Sequence, residues 1–164
     1  MLQLYYKTEF IRVSYEEEWQ LGVAEWNGFV SSGELRKAAL NSLNFVHEKN
    51  ITRWLADRRK MRAIRQQDQQ WTVEEFIPKM MASPLRRLAT VISEDMFNKM
   101  ALEQIIRRSS GFGDIALRDF DNFAAAMAWL KTPLSENAAP NTLLPINDNE
   151  NINKRILLLF IFLD

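Results

Sequence analysis

The chain has 164 residues, no cysteine, a single histidine, and 21 basic side chains against 21 acidic ones. These counts exclude disulfides, a cysteine nucleophile and a zinc site built from cysteines or several histidines, and the zero net charge gives no global field that would favour nucleic acid as a partner. The remaining composition, 47% hydrophobic and 26% charged, is typical of one globular domain; we expect no membrane span, no signal peptide and a cytoplasmic location.

The start of the chain predicts three antiparallel strands. Leu2–Lys7 and Glu9–Tyr15 are rich in β-branched and aromatic residues, which favour strands. A short acidic segment separates the second of these from a third candidate strand, Trp19–Trp26. Because consecutive strands usually lie next to each other, we expect an antiparallel meander.

A complete helix start follows this meander. Ser31 and Glu34 have the spacing of a capping box, and Val30 and Leu35 have the spacing of a hydrophobic staple. Apolar residues then recur at helical spacing, which predicts an amphipathic helix over Ser32–Glu48.

The next segment predicts a strand, a basic loop and a second helix. Ile51–Asp57 is nearly continuous in apolar residues, as in a buried parallel strand, and the polar, basic residues after it predict a loop. A helix follows over roughly residues 68–82. It begins either at a capping box formed by Thr72 and Glu75, or near Asp68, which places Pro78 closer to its end.

Strands and helices continue to alternate up to Lys131. Arg87–Ser93 predicts a strand, Ser93 caps a helix, and Asp114–Phe120 predicts the last strand. Asp121 is expected to cap a short final helix, Asn122–Lys131.

The whole order of elements is β-β-β-α-β-α-β-α-β-α. It predicts an α/β fold with a single mixed, mostly parallel sheet, an N-terminal antiparallel meander and packed helices. Residues 1–131 are expected to form this domain, and residues 132–164 a linker rich in proline and asparagine with an apolar tail. The tail includes eight consecutive apolar residues, Ile156–Leu163, which either add a strand to a sheet edge or form a terminal extension with little function.

Three blocks of the chain carry a family resemblance. Ala24–Gly28, Ile51–Asp57 and Asp68–Trp71 resemble small bacterial proteins with a STAS-like fold. This is the fold of the sporulation anti-sigma-factor antagonists, and it is related to the lipid-binding CRAL-TRIO domains. The resemblance covers about Glu9 to Lys131 and implies a non-catalytic regulatory module that binds a protein or a small ligand. The phosphoserine of the switched antagonists is not carried over, because no serine lies between Asp57 and Thr72.

The basic segment after the fourth strand is the leading candidate for a binding surface. Five of the eight residues from Arg58 to Arg65 are Lys or Arg, and they follow the carboxyl end of a predicted parallel strand, where α/β sheets place ligand clefts. The surface would bind a protein partner or a small anionic ligand; alternatively, its arginines pair with nearby carboxylates in a solvated loop. The candidate residues are Asp57, Arg58, Arg59, Lys60, Arg62, Asp68 and Trp71.

Two other functions stay open at this point. An apolar molecule or lipid could occupy a pocket lined by the aromatic and methionine residues Trp19, Trp26, Trp54, Trp71, Trp129, Met80, Met81, Met96 and Met100, although these residue types more often form core. A less favoured alternative is a Mg²⁺-dependent phosphoryl-transfer enzyme that uses Asp57, Asp95 and Asp119 or Asp121. His47 is expected to lie in the last turn of a helix. No residue is predicted to be catalytic, and no cofactor or metal is predicted; the oligomeric state is left open.

Overall fold

Six strands form one mixed sheet in the order β1-β2-β3-β4-β5-β6, as the fold class predicted. The computed structural model describes residues 1–62, 64–93 and 114–134. The strands are β1 (Gln3–Lys7), β2 (Ile11–Glu16), β3 (Leu21–Gly28), β4 (Arg53–Met61), β5 (Arg87–Val91) and β6 (Ala116–Phe120).

The first three strands form the predicted antiparallel meander, and the later strands are parallel. β1 pairs with β2 and β2 with β3 in antiparallel register. β3, β4, β5 and β6 then pair in parallel, each with the next. The carboxyl ends of four neighbouring strands therefore lie at one edge of the sheet.

Helix α1 (Ser32–Glu48) begins with the predicted local chemistry. The Glu34 backbone N–H donates to Ser31 Oγ at 3.3 Å, and the Ser31 N–H donates to Glu34 Oε2 at 3.1 Å, which completes the capping box. Just after the helix, Asn50 has a φ of +50°, in the left-handed region that asparagine tolerates.

Strand β4 is longer than predicted, and this corrects the expected basic loop. The predicted strand ended at Asp57, but β4 continues to Met61. Its second half pairs with the end of β3, where Asn27 lies opposite Lys60 and Gly28 opposite Met61 after a register shift. Residues 58–61 stay in the sheet despite their polarity, because β3 is long enough to pair with them.

The second helical region is one continuous helix with a π-helical turn in its middle. It consists of α2 (Gln66–Trp71), the π-turn (Thr72–Phe76) and α3 (Ile77–Met81). The predicted capping box at Thr72 is wrong, since Thr72 Oγ1 donates to the Asp68 carbonyl oxygen at 2.7 Å inside the helix. The alternative, a helix that begins near Asp68 with Pro78 towards its end, is close to what is observed.

Helix α4 (Phe123–Leu130) follows β6. Its N-cap is Asn122, whose Oδ1 accepts from the Ala125 N–H at 3.0 Å, and not the predicted Asp121. The predicted helix headed by Ser93 and the predicted tail from residue 135 onwards lie outside the described residues.

The helices cover both faces of the sheet and create two main hydrophobic clusters. On one face, α1 and α3 pack on inward side chains of β2, β3 and β4 such as Val13, Ala24 and Trp54. On the other face, α4 packs on Val23, Leu55 and further residues of β5 and β6. Among the described helices, none is long and apolar enough to cross a membrane.

Candidate functional site

A cavity of about 180 Å³ lies between the sheet and the helices of the first face. Its walls come from β3, β4 and β5, from α1, and from the region α2–π-turn–α3. Most of the lining is apolar, and its aromatic side chains are Trp26, Trp54, Trp71 and Phe76. A concave, mostly apolar surface with a few polar groups is the usual form of a small-molecule site in proteins.

A row of small side chains across three strands forms the floor of the cavity. Ala24 of β3 lies opposite Ala56 of β4, which lies opposite Thr90 of β5. All three line the cavity. Side chains at alternate positions of a strand share a face, so the row is flanked by the larger Trp54 and Trp26 on that same face. The hollow therefore follows from the strand register.

The π-turn shapes the wall opposite the floor. Trp71, Thr72 and Phe76 of this region line the cavity, and the Trp71 and Phe76 rings stack with centroids 5.9 Å apart. A π-helical turn inserts one residue into the regular hydrogen-bond pattern and often occurs at functional sites. Here it widens the helix at the segment that faces the cavity.

A buried carboxylate joins the two helices that form the walls. Asp68, only 1% exposed, accepts from Ser32 Oγ at 2.7 Å and from Arg36 Nε and Nη2 at 3.3 Å. The Arg36 guanidinium also lies 5.3 Å from the centre of the Trp71 ring. This cluster fixes the N-terminal part of α1 against α2, and with it one of the cavity's tryptophans.

Two polar groups of the lining stand out from the apolar surroundings. Arg58 is half-buried in the wall, and the burial of its guanidinium lowers the pKa to about 10, while the nearby Asp119 carboxylate acts in the opposite direction. Ser42 of α1 is 8% exposed, and its hydroxyl has no hydrogen-bond partner within the described part of the chain. Such groups give an apolar pocket its selectivity.

The structure distributes the predicted binding residues over separate places. Asp57 pairs with Arg59, whose Nη2 lies 2.6 Å from Oδ2, and this hydrogen-bonded pair raises the pKa of Arg59. Arg58 and Trp71 line the cavity, and Asp68 is buried in the joint between the helices.

Only Lys60 and Arg62 of the predicted set stay on the exposed surface without an ion pair among the described residues. Both lie near the carboxyl edge of β4, and the Arg62 N–H donates to the Gly28 carbonyl at 3.0 Å. Arg65 is a third exposed cation of this kind, and its guanidinium lies 5.0 Å from the ring of Phe29, which is 53% exposed. We call Phe29, Lys60, Arg62 and Arg65 the basic patch.

The observed cavity contains some of the residues that were predicted to line an apolar pocket. Trp26, Trp54, Trp71 and Met80 line it. Trp19 and Trp129 pack instead against the cluster on the other face, and Met81 is exposed. Met96 and Met100 lie outside the described residues.

The predicted acidic set does not converge in the part of the chain that the structure describes. No group of three or more Asp, Glu, His or Cys side chains there could hold a metal ion. Asp121 is exposed, and Asp95 lies outside the described residues. His47 lies exposed in the last turn of α1, as expected.

Ser42 and the row of small residues were not predicted from the sequence. The sequence does contain the pattern behind this row. Ala24, Ala56 and Thr90 each lie two residues from a larger side chain on the same face of a strand. Only the register between the strands shows that the three positions are adjacent.

No protein-family model, curated protein or solved structure matches the chain. The resemblance to STAS-like proteins therefore stays a prediction.

Proposed function

We propose that the chain is a binding module that takes up a small, largely apolar molecule in the cavity. The observation that carries this proposal is the cavity itself, about 180 Å³ in volume and lined by three of the five tryptophans. Cavities of roughly 150 Å³ with apolar walls bind ring-sized molecules such as benzene. Pockets for larger ligands begin at about 300 Å³, so the size favours a ring-sized ligand over a long-chain lipid.

The test is ligand-dependent stability in the wild type and in a variant with a filled cavity. A molecule that binds only the folded state stabilises it by RT ln(1 + [L]/Kd), so toluene and indole are expected to raise the melting temperature of the wild type. Ala39 of α1 lines the cavity, and Ala39→Leu places a larger side chain there. We expect this variant to lose most of the ligand-induced shift.

The matched control is Ala124→Leu, the same change at an exposed position of α4. It should keep the full ligand-induced shift. Failure of toluene, indole and other ring-sized molecules to stabilise the wild type would contradict the proposal, and so would an equal shift in the Ala39→Leu variant.

A second candidate function is docking of an acidic protein partner on the basic patch. It is favoured by three exposed cations without ion pairs among the described residues, beside an exposed aromatic ring, in a chain of zero net charge. Charge complementarity of this kind accelerates association and sets specificity. Arg59 does not belong to the patch, because Asp57 already pairs with it.

An acidic model peptide provides the measurement for this second candidate. Lys60→Ala combined with Arg62→Ala should weaken binding of a labelled polyglutamate peptide several-fold at low salt, as measured by fluorescence anisotropy. Lys7→Ala combined with Lys79→Ala removes two exposed cations elsewhere and should leave binding unchanged. Equal affinities of the two double variants would exclude the patch.

A further inference from the structure

The Ser42 hydroxyl is a buried polar group that the packing of the protein leaves unused. Ser42 lies on the stripe of α1 that faces the cavity, between Ala39 and Val46, and it belongs to the cavity lining. Buried polar side chains in proteins nearly always find a hydrogen-bond partner. The Ser42 Oγ has none among the described residues.

The usual local partner of such a serine is also not used. A serine inside a helix can donate to the carbonyl oxygen four residues earlier, which for Ser42 belongs to Ala38. That bond is not formed here. By contrast, Thr72 of the π-turn, which also lines the cavity, donates to the Asp68 carbonyl in this way at 2.7 Å. The two cavity walls therefore differ, with one hydroxyl satisfied by its own helix and the other available to a ligand.

A second hydroxyl lies beside Ser42. Burial is the main cause that raises the pKa of Tyr6 on β1, and a side-chain interaction between Tyr6 and Ser42 lowers it in part. The geometry nevertheless completes no hydrogen bond for the buried Tyr6 hydroxyl either, within the described part of the chain. Ser42, with the Tyr6 hydroxyl beside it, is therefore a polar point on the side of the cavity that α1 lines.

We propose that Ser42 selects a ring-sized ligand that carries a hydrogen-bonding oxygen, such as a phenolic hydroxyl, with the ring between the tryptophans and the oxygen at Ser42 Oγ. This inference rests on the proposed function and adds the chemical class of the ligand. A ligand oxygen at this point would satisfy a hydroxyl that is already desolvated, so its binding requires little further loss of hydration at Ser42.

The test compares two rings of similar size, phenol and toluene, by calorimetric titration of the full chain. In Ser42→Ala, the Kd for phenol should rise about tenfold while the Kd for toluene stays the same or falls. The matched control is Ser14→Ala, the same change at a buried serine of β2 that does not line the cavity. This control should keep the wild-type ratio of the two Kd values.

The stability of the empty protein gives an independent readout. Removal of an unsatisfied buried hydroxyl should leave the melting temperature of Ser42→Ala unchanged or raised. If Ser42 and Tyr6 instead stabilise each other, Ser42→Ala and Tyr6→Phe would each lower it, and the inference would be overturned.

If the wild type binds neither ring, the proposed function fails. If it binds both and Ser42→Ala leaves the ratio unchanged, the cavity binds ligands but the assignment to Ser42 is wrong.

Discussion

Gly22 determines where the indole ring of Trp54 can lie. The two residues face each other across β3 and β4, on the side of the sheet that holds the cavity. A Cβ built on Gly22 would overlap the six-membered part of the Trp54 ring. The absence of a side chain at residue 22 therefore allows the indole to lie close to the sheet.

Gly22→Ala is expected to destabilise the protein by about 1–3 kcal/mol, because either the Trp54 ring or the strand backbone must move. Urea unfolding measures this change, and toluene binding to the same variant should weaken as the ring shifts. Gly33→Ala is the matched control in the first turn of α1, where a Cβ meets no atom within 4 Å. It should be neutral or stabilising by roughly 0.5–1 kcal/mol. Similar losses for both alanines would disprove this role of Gly22.

Single residues also show which parts of the candidate site could be predicted from sequence. The sequence contains five tryptophans at positions compatible with core or pocket. Residue type does not separate them, because Trp54 and Trp129 both favour burial. Their assignment to different faces depends on strand register and helix placement, which are set by contacts between residues far apart in the chain.

At the scale of elements, the buried Asp68 joins α1 to α2 through hydrogen bonds from Ser32 and Arg36. A buried carboxylate that accepts three hydrogen bonds is strongly held. Removal of this acceptor leaves the donors unpaired. These hydrogen bonds therefore set the separation of α1 and α2, which form two walls of the cavity.

Asp68→Ala should destabilise the protein by about 2–4 kcal/mol in chemical denaturation and abolish the ligand-induced shift with toluene. The comparison variant is Glu74→Ala, which removes an exposed carboxylate that accepts from Gln70 at 3.0 Å in the same helical region. Its cost should stay below roughly 0.5 kcal/mol. A loss of the same size for both variants would show that helix propensity, and not the joint, explains the effect.

The element boundaries that were predicted correctly depend on local chemistry. The capping box of Ser31 and Glu34 is complete within four residues, so the start of α1 could be predicted. The end of β4 could not, because residues 58–61 belong to the strand only through their pairing with β3. The Thr72 capping box was misleading for a related reason: the helix had already begun at Gln66, so the Thr72 hydroxyl bonds to its own helix.

Glu16 links the first residue of the chain to the end of the last described helix. Its carboxylate accepts from the Met1 amino group at 3.0 Å and from Lys131 Nζ at 2.8 Å, although Glu16 itself is buried at the end of β2. The hydrogen bond from Lys131 is the main cause that lowers the pKa of Glu16, and burial opposes it.

This arrangement predicts how stability depends on pH. Because the folded pKa lies below the ordinary value of 4.5, ionised Glu16 stabilises the fold fully above about pH 5, and this contribution is lost as the pH falls through the folded pKa. Glu16→Gln should therefore cost roughly 1–2 kcal/mol at pH 7 and progressively less below pH ~4.5.

The measurement is urea unfolding of both proteins between pH 3 and pH 7. Glu9→Gln, a change at an exposed glutamate before β2, is the control and should differ only slightly from the wild type. A constant gap between the wild type and Glu16→Gln down to pH 3 would contradict the role assigned to the carboxylate.

The division of the tryptophans between the two faces has a practical consequence for spectroscopy. Trp26, Trp54 and Trp71 line the cavity, whereas Trp19 and Trp129 lie across the sheet beside Arg53 and Arg87. Intrinsic emission from the first group should respond to an occupant directly. Emission from the second group should stay constant, so the molecule contains its own reference fluorophores for a label-free titration.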